Sequence, residues 1–187
     1  MALTQVAGGM LAGSITSSQI SSVAGSTITG SQSIPKSTLP TGSVLQVVNT
    51  WNNATVTTTN SSGSPVGAGT TLSITPTSSS SKILFIVSGG NSFNDTQNYE
   101  IYYFMGRNIG GAGYTVINSS QIWGLNRQVG TGGGNLTKSC MAYQYLDSPA
   151  TTSSIIYQPY FSTNGGGTAY FNQGGVGWEF TLMEISA

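Results

Sequence analysis

From Gly42 to Ala187 the apolar residues fall in short runs cut by clusters of Gly, Ser, Asn and Pro. Ser43–Thr50 carries Val44, Leu45, Val47 and Val48, and Ala54–Thr59 follows, rich in β-branched Thr. Leu72 and Ile74 alternate with Ser73 and Thr75, the period of a half-buried strand. Ile83–Val87 is apolar on both faces, which predicts a strand in the middle of a packed structure. Tyr99–Met105, Gly113–Asn118, Lys138–Leu146, Ser153–Ser162, Thr168–Phe171 and Trp178–Ile185 continue the series. Pro159 has no amide hydrogen to give to a ladder, so its run is expected at a sheet edge or a bulge. About ten short strands, with no amphipathic helix, predict an all-β fold: an antiparallel β-sandwich of jelly-roll type.

Residues 1–41 have a different character. They hold isolated apolar residues among Ser, Thr and Gly, and no charge before Lys36. Ile15-Thr16-Ser17-Ser18-Gln19 returns as Ile28-Thr29-Gly30-Ser31-Gln32, a step of 13 residues. Such a segment buries too little apolar area to offset the ordering cost of its own backbone. It reads either as a linker or as a segment that orders when identical copies wrap together. In the second reading Ile15, Ile20, Ile28 and Ile34 face a shared axis. Pro35 and Pro40 bracket the junction with the head, residues 42–187.

Composition narrows the function. Lys and Arg number five, Asp and Glu five, and charged residues make up 5% of 187, where a soluble domain ordinarily has about 25%. Ser, Thr, Asn and Gly fill close to half the chain. With no basic stripe to neutralise phosphate, nucleic-acid binding is not expected. No apolar run is long enough for a membrane-spanning helix, and membrane insertion is not expected. The start Met1-Ala-Leu-Thr-Gln-Val lacks the basic region of a secretory signal. There is no His, hence neither the commonest general base nor the commonest metal ligand. The lone Cys140 cannot form an intrachain disulfide and is expected to be a small buried hydrophobe. Zero net charge weakens the repulsion that keeps proteins apart. A homo-oligomer that hides much of the surface is therefore expected, and a trimer suits a repetitive segment wrapping an axis.

Several stretches carry a resemblance. They are Gly13–Ile20, Gly42-Ser43-Val44-Leu45-Gln46-Val47, Leu72-Ser73-Ile74-Thr75-Pro76-Thr77 running through the serines to Leu84, Tyr145-Leu146-Asp147-Ser148-Pro149-Ala150, and the ending Phe180-Thr181-Leu182-Met183-Glu184-Ile185. In order and spacing they resemble the carboxy-terminal modules of tail-fibre and related virion proteins from tailed phages of marine and freshwater bacteria, cyanophages especially. The resemblance covers most of residues 42–187. It implies a trimeric, β-rich structural module of a virion, assembled in the bacterial cytoplasm and without enzymatic activity. A fibre subunit is usually much longer. Forty residues reach at most ~140 Å when fully extended, so this chain reads as a short knob that docks on another virion protein through residues 1–41.

Candidate chemistry is sparse. A glycan-cleaving site needs two carboxylates flanking a cleft, and the choices are Asp95, Glu100, Asp147, Glu179 and Glu184. Asp147 lies in Leu146-Asp147-Ser148-Pro149, where Asp is expected to cap local amides. Glu184 is in phase with Leu182 and Phe180, which predicts burial at an interface. With ten charges in the chain, ion pairs are expected to matter little. The glycine clusters 132–134, 165–167 and 174–175 lack the ending of a phosphate cradle and read as loop tips. Trp123, Asn126 and Arg127 lie in the irregular region 106–136, where a ring, an amide and a guanidinium could contact a host cell-surface glycan; the same rings could equally fill a core or an interface. No cofactor and no metal are expected. The sequence thus points to a non-enzymatic virion protein, tail-fibre-like, with capsid decoration as the competing role and a surface-glycan depolymerase third.

Overall fold

The computed structural model describes residues 35–36, 39–61, 63–96, 99–117 and 138–187, and the backbone of 122–124. By contacts the chain divides into Met1–Pro35 and Lys36–Ala187. Ile15, Ile20, Ile28 and Ile34 lie outside the described residues, as do Asn126, Arg127 and the glycines at 132–134.

Among the described residues, twelve strands build the second unit: β1 Val44–Asn52, β2 Val56–Thr58, β3 Val66–Gly67, β4 Leu72–Ile74, β5 Lys82–Asn94, β6 Ile101–Ile109, β7 Thr115–Val116, β8 Ile122–Gly124, β9 Ser139–Asp147, β10 Ile155–Thr163, β11 Ala169–Phe171 and β12 Trp178–Ile185. They form two antiparallel sheets. The first runs β1-β12-β5, with β9 on the far side of β5; β11 pairs with the last residues of β5, and β2 with β11. The second is centred on β10 and β6, with β3 and β4 beside β10, and β7 and β8 beside β6. If β1, β4, β5, β6, β8, β9, β10 and β12 are taken as eight principal strands in chain order, first joins last, and third joins sixth, in one sheet. Second joins seventh, and fourth joins fifth, in the other. That interleaving is the double Greek key of a jelly-roll sandwich, the fold the turn spacing predicts.

Alternation explains which residues meet between the sheets. Ile83, Phe85 and Val87 of β5 and Trp178, Phe180 and Leu182 of β12 all point inward and are buried. They face Ile101, Tyr103 and Met105 of β6 and Ile155, Tyr157 and Phe161 of β10, also buried. Aromatic rings meet within this layer: Tyr103 stacks on Tyr143 at 4.8 Å, and Phe171 stands edge-on to Trp178 at 4.9 Å.

Two departures from expectation have local causes. The run 83–87 continues to Asn94, because a bulge at Gly89 and Gly90 bends β5 so that it pairs with β12 and then with β11. Both glycines have positive φ (86° and 58°), and a Cβ on Gly90 would lie 2.8 Å from the Asn172 amide oxygen. Pro159, expected at an edge, sits in β10 with β6 on one flank. On the other flank it falls in the gap between β3 and β4, where its carbonyl accepts the Ala68 amide at 2.8 Å. Its missing N–H therefore points into the gap, and no ladder bond to β6 is lost.

Candidate functional site

The inner and outer surfaces of the first sheet hold the chemistry. Inside, Glu184 of β12 and Asp147 of β9 both lie opposite Ile83 of β5, so one row reads Glu184–Ile83–Asp147. All three are buried. Two buried carboxylates in one row are the nearest approach to the paired acids of a glycosidase, but each is already committed.

Asp147 accepts two bonds from Arg107 Nη1 on β6, at 2.8 and 2.7 Å, and a third from the Tyr157 hydroxyl on β10 at 2.7 Å. It thereby ties β9 to the second sheet, rather than capping local amides in a turn. The pair corrects the expectation about ions: Asp147 is 8% and Arg107 24% exposed, so water screens the contact poorly. Burial, together with the adjacent Asp147 carboxylate, pushes the Tyr157 phenol well up and keeps it protonated as the donor.

Glu184 is sealed within one chain, with no second subunit needed. It accepts from Gln46 Nε2 at 2.6 Å and from the Thr77 amide and hydroxyl at 2.6 and 2.7 Å. Gln46 also reaches the Thr75 carbonyl at 2.7 Å, so the carboxylate pins the serine-rich turn after β4 onto β1 and β12. Burial alone would raise the Glu184 carboxyl; the bonds from Gln46 and Thr77 act against it, and the carboxyl is held below its ordinary value. Beside it, a cleft of about 270 Å³ opens between Lys36, Leu39, Leu45 and Ser78.

The remaining acids are dispersed. Asp95 is exposed and accepts from the Thr168 amide at 2.6 Å and the Thr96 hydroxyl at 3.1 Å; burial acts to raise its carboxyl, but these bonds win and lower it. Glu100 precedes β6, where its amide donates to Asn164 Oδ1. Glu179 is exposed on the outer side of β12. Among the described residues, no cluster of three metal-ligating side chains is found, and no helix is long and apolar enough to cross a membrane.

Of the expected receptor contacts, Trp123 lies on β8 opposite Tyr102 of β6. Cys140 is exposed rather than buried, because Met141 takes the inward phase of β9. The glycine clusters within the described residues are loop tips: 165–167 lies between β10 and β11, and 174–175 between β11 and β12.

Outside, the first sheet presents apolar residues to solvent. Val47, Met183, Leu84 and Leu146 stand side by side on β1, β12, β5 and β9. Val47 is 53% and Leu146 46% exposed, and Trp51, further along β1, is 60% exposed. The Trp51 indole lies over Gly177, whose φ is +91°; a Cβ there would come within 2.6 Å of the indole nitrogen. No local motif marks the row, since its four residues belong to four different strands.

No protein-family profile matches the chain, and no curated protein matches it in sequence. Among solved structures it is similar to the capsid protein VP2 of infectious bursal disease virus. In the subviral particle the TM-score is 0.45 at 12% identity, over 75% of this chain and 32% of that one. In the Gt strain it is 0.39 at 13% identity, over 86% and 43%. The chain thus spans about a third to two fifths of those proteins. Likenesses this distant leave the fold to be read from the strand order itself: an all-β, antiparallel jelly-roll sandwich.

Proposed function

We propose that this chain is a non-enzymatic structural component of a bacteriophage virion, a short tail-fibre-like knob. In this reading residues 1–41 dock it, as a homotrimer, onto another virion protein, and the sandwich head faces the host surface. The observation that carries the reading is the outer face of the first sheet, an apolar row four strands wide on a head nearly devoid of charge. Such a face is stable in a crowded cytoplasm when assembly covers it. The two buried carboxylates support the absence of catalysis, because each is held by donors that a substrate would have to displace.

Copy number tests the placement. Quantitative gel analysis of purified virions should give a few dozen copies or fewer, and hundreds would shift the role to capsid decoration. Deleting Met1–Pro35 should leave a folded head that no longer enters particles. Incubation with host surface polysaccharide should release no reducing ends; release would overturn the non-enzymatic reading.

A further inference from the structure

We propose that the outer face of the β1-β12-β5-β9 sheet is a twofold interface with a second copy of this chain, the two copies turned end for end. The inference rests on the reading that copies of this protein cover the head, and it names the surface and its partner.

Charge placement selects the occupant. Within the span of the apolar row the face carries one cation and one anion, Lys82 on β5 and Glu179 on β12, both exposed; a second cation, Lys138, lies just before β9, over the Phe93 ring beyond the Glu179 end. Lys82 lies beside Ile185 at one end of the face, and Glu179 beside Ser88 at the other. Among the described residues the single salt bridge joins Arg107 and Asp147, so neither Lys82 nor Glu179 is paired with another described residue. Rotation about an axis lying across the strands carries each end onto the other. The Lys82 of one copy then opposes Glu179 of the other, twice.

Shape follows the same operation. Between β5 and β9, a hollow of about 300 Å³ is lined by Ile86, Ser88, Ala142 and Gln144. The projecting Leu146 stands on the same strand pair, at the opposite end of the face. An end-for-end turn keeps β9 over β9 and brings Leu146 of each copy onto the hollow of the other.

Four strands by eight residues give a flat footprint on the order of 500 Å², toward the low end of the range for a specific interface, where about 800 Å² per partner is standard. A twofold contact between heads joins two assemblies whatever rotational order residues 1–41 impose.

Sedimentation equilibrium of the full chain tests this with three variants. Lys82→Glu alone and Glu179→Lys alone each set like charges opposite one another, and each should weaken association about ten-fold. The double variant Lys82→Glu with Glu179→Lys restores opposition, and should return association to near the parent value. That rescue also shows that neither substitution is incompatible with the folded head. Oxidative labelling of Met183 and Trp51 supplies the second readout: both should be protected at high concentration and labelled on dilution.

Single variants that associate like the parent would overturn the interface while leaving an assembling virion protein standing. A chain monomeric at every concentration would overturn both readings. Protection that persists in the monomer would assign the face to this chain's own amino-terminal residues, and protection gained only on adding other virion proteins would assign it to a different partner. Either would overturn the pairing of copies.

Discussion

The two surfaces of the β1-β12-β5-β9 sheet share one backbone and obey opposite rules. Inside, every charge is surrounded: Asp147 by Arg107 and Tyr157, Glu184 by Gln46 and Thr77. Outside, Lys82 and Glu179 are exposed, and between them lie an apolar row, Val47–Met183–Leu84–Leu146, and a mixed one, Asn49–Thr181–Ile86–Gln144. The inner surface is finished within one chain. The outer one has the composition of a surface that will be covered, because an exposed apolar row contributes nothing to a lone head.

Substitutions along this sheet should separate the two surfaces by size of effect. The largest loss is expected for Phe85→Ala, a fully buried ring, at about 3–5 kcal/mol in denaturant unfolding. Next is Arg107→Ala, which leaves Asp147 and the Tyr157 hydroxyl buried without their cation. It should cost about 2–4 kcal/mol, and Arg107→Met combined with Asp147→Leu should recover most of that.

Glu184→Gln should cost about 1–2 kcal/mol at neutral pH, with a distinctive acid profile. The folded carboxyl titrates below its ordinary value of 4.5. Its contribution is therefore complete above that value and is lost as pH falls through the lower folded value. The variant should show a shallower decline in stability over that window, and Asp95, also lowered, should supply part of what remains. Smallest of all, Val47→Thr on the outer surface should change unfolding by less than about 0.5 kcal/mol. A loss as large as that of Phe85→Ala would show that the outer row is packed within one chain, and would erase the distinction.

The strands were legible where side chains alternate or where β-branched residues cluster, and the sandwich followed from their spacing. What alternation could not show is instructive. Ser88-Gly89-Gly90-Asn91-Ser92 breaks the apolar run after Val87, yet it continues β5, because neighbouring strands on both sides hold it extended. Leu146-Asp147-Ser148-Pro149 also reads as a turn. The partner that makes Asp147 a clasp, Arg107, lies 40 residues earlier and has no local signature. The apolar row was hidden for the same reason: Val47, Leu84, Leu146 and Met183 become neighbours only through pairing across four strands. Trp123 was expected in an irregular region, and a short strand carries it instead. Composition did foretell that few charges would be available. It did not reveal that the fold would bury two acids and set Lys82 and Glu179 at opposite ends of one outer surface.

The first and last strands of the head lie side by side, and their ends are fastened together. The Gly42 amide donates to the Ser186 carbonyl at 2.8 Å, and the Ser186 amide to the Ser43 carbonyl at 2.9 Å. The head is therefore a ring in all but one covalent link. A short linker from Ala187 to Gly42, with new termini opened at the exposed turn Gly110–Gly111, would yield a circular permutant with every strand in its place.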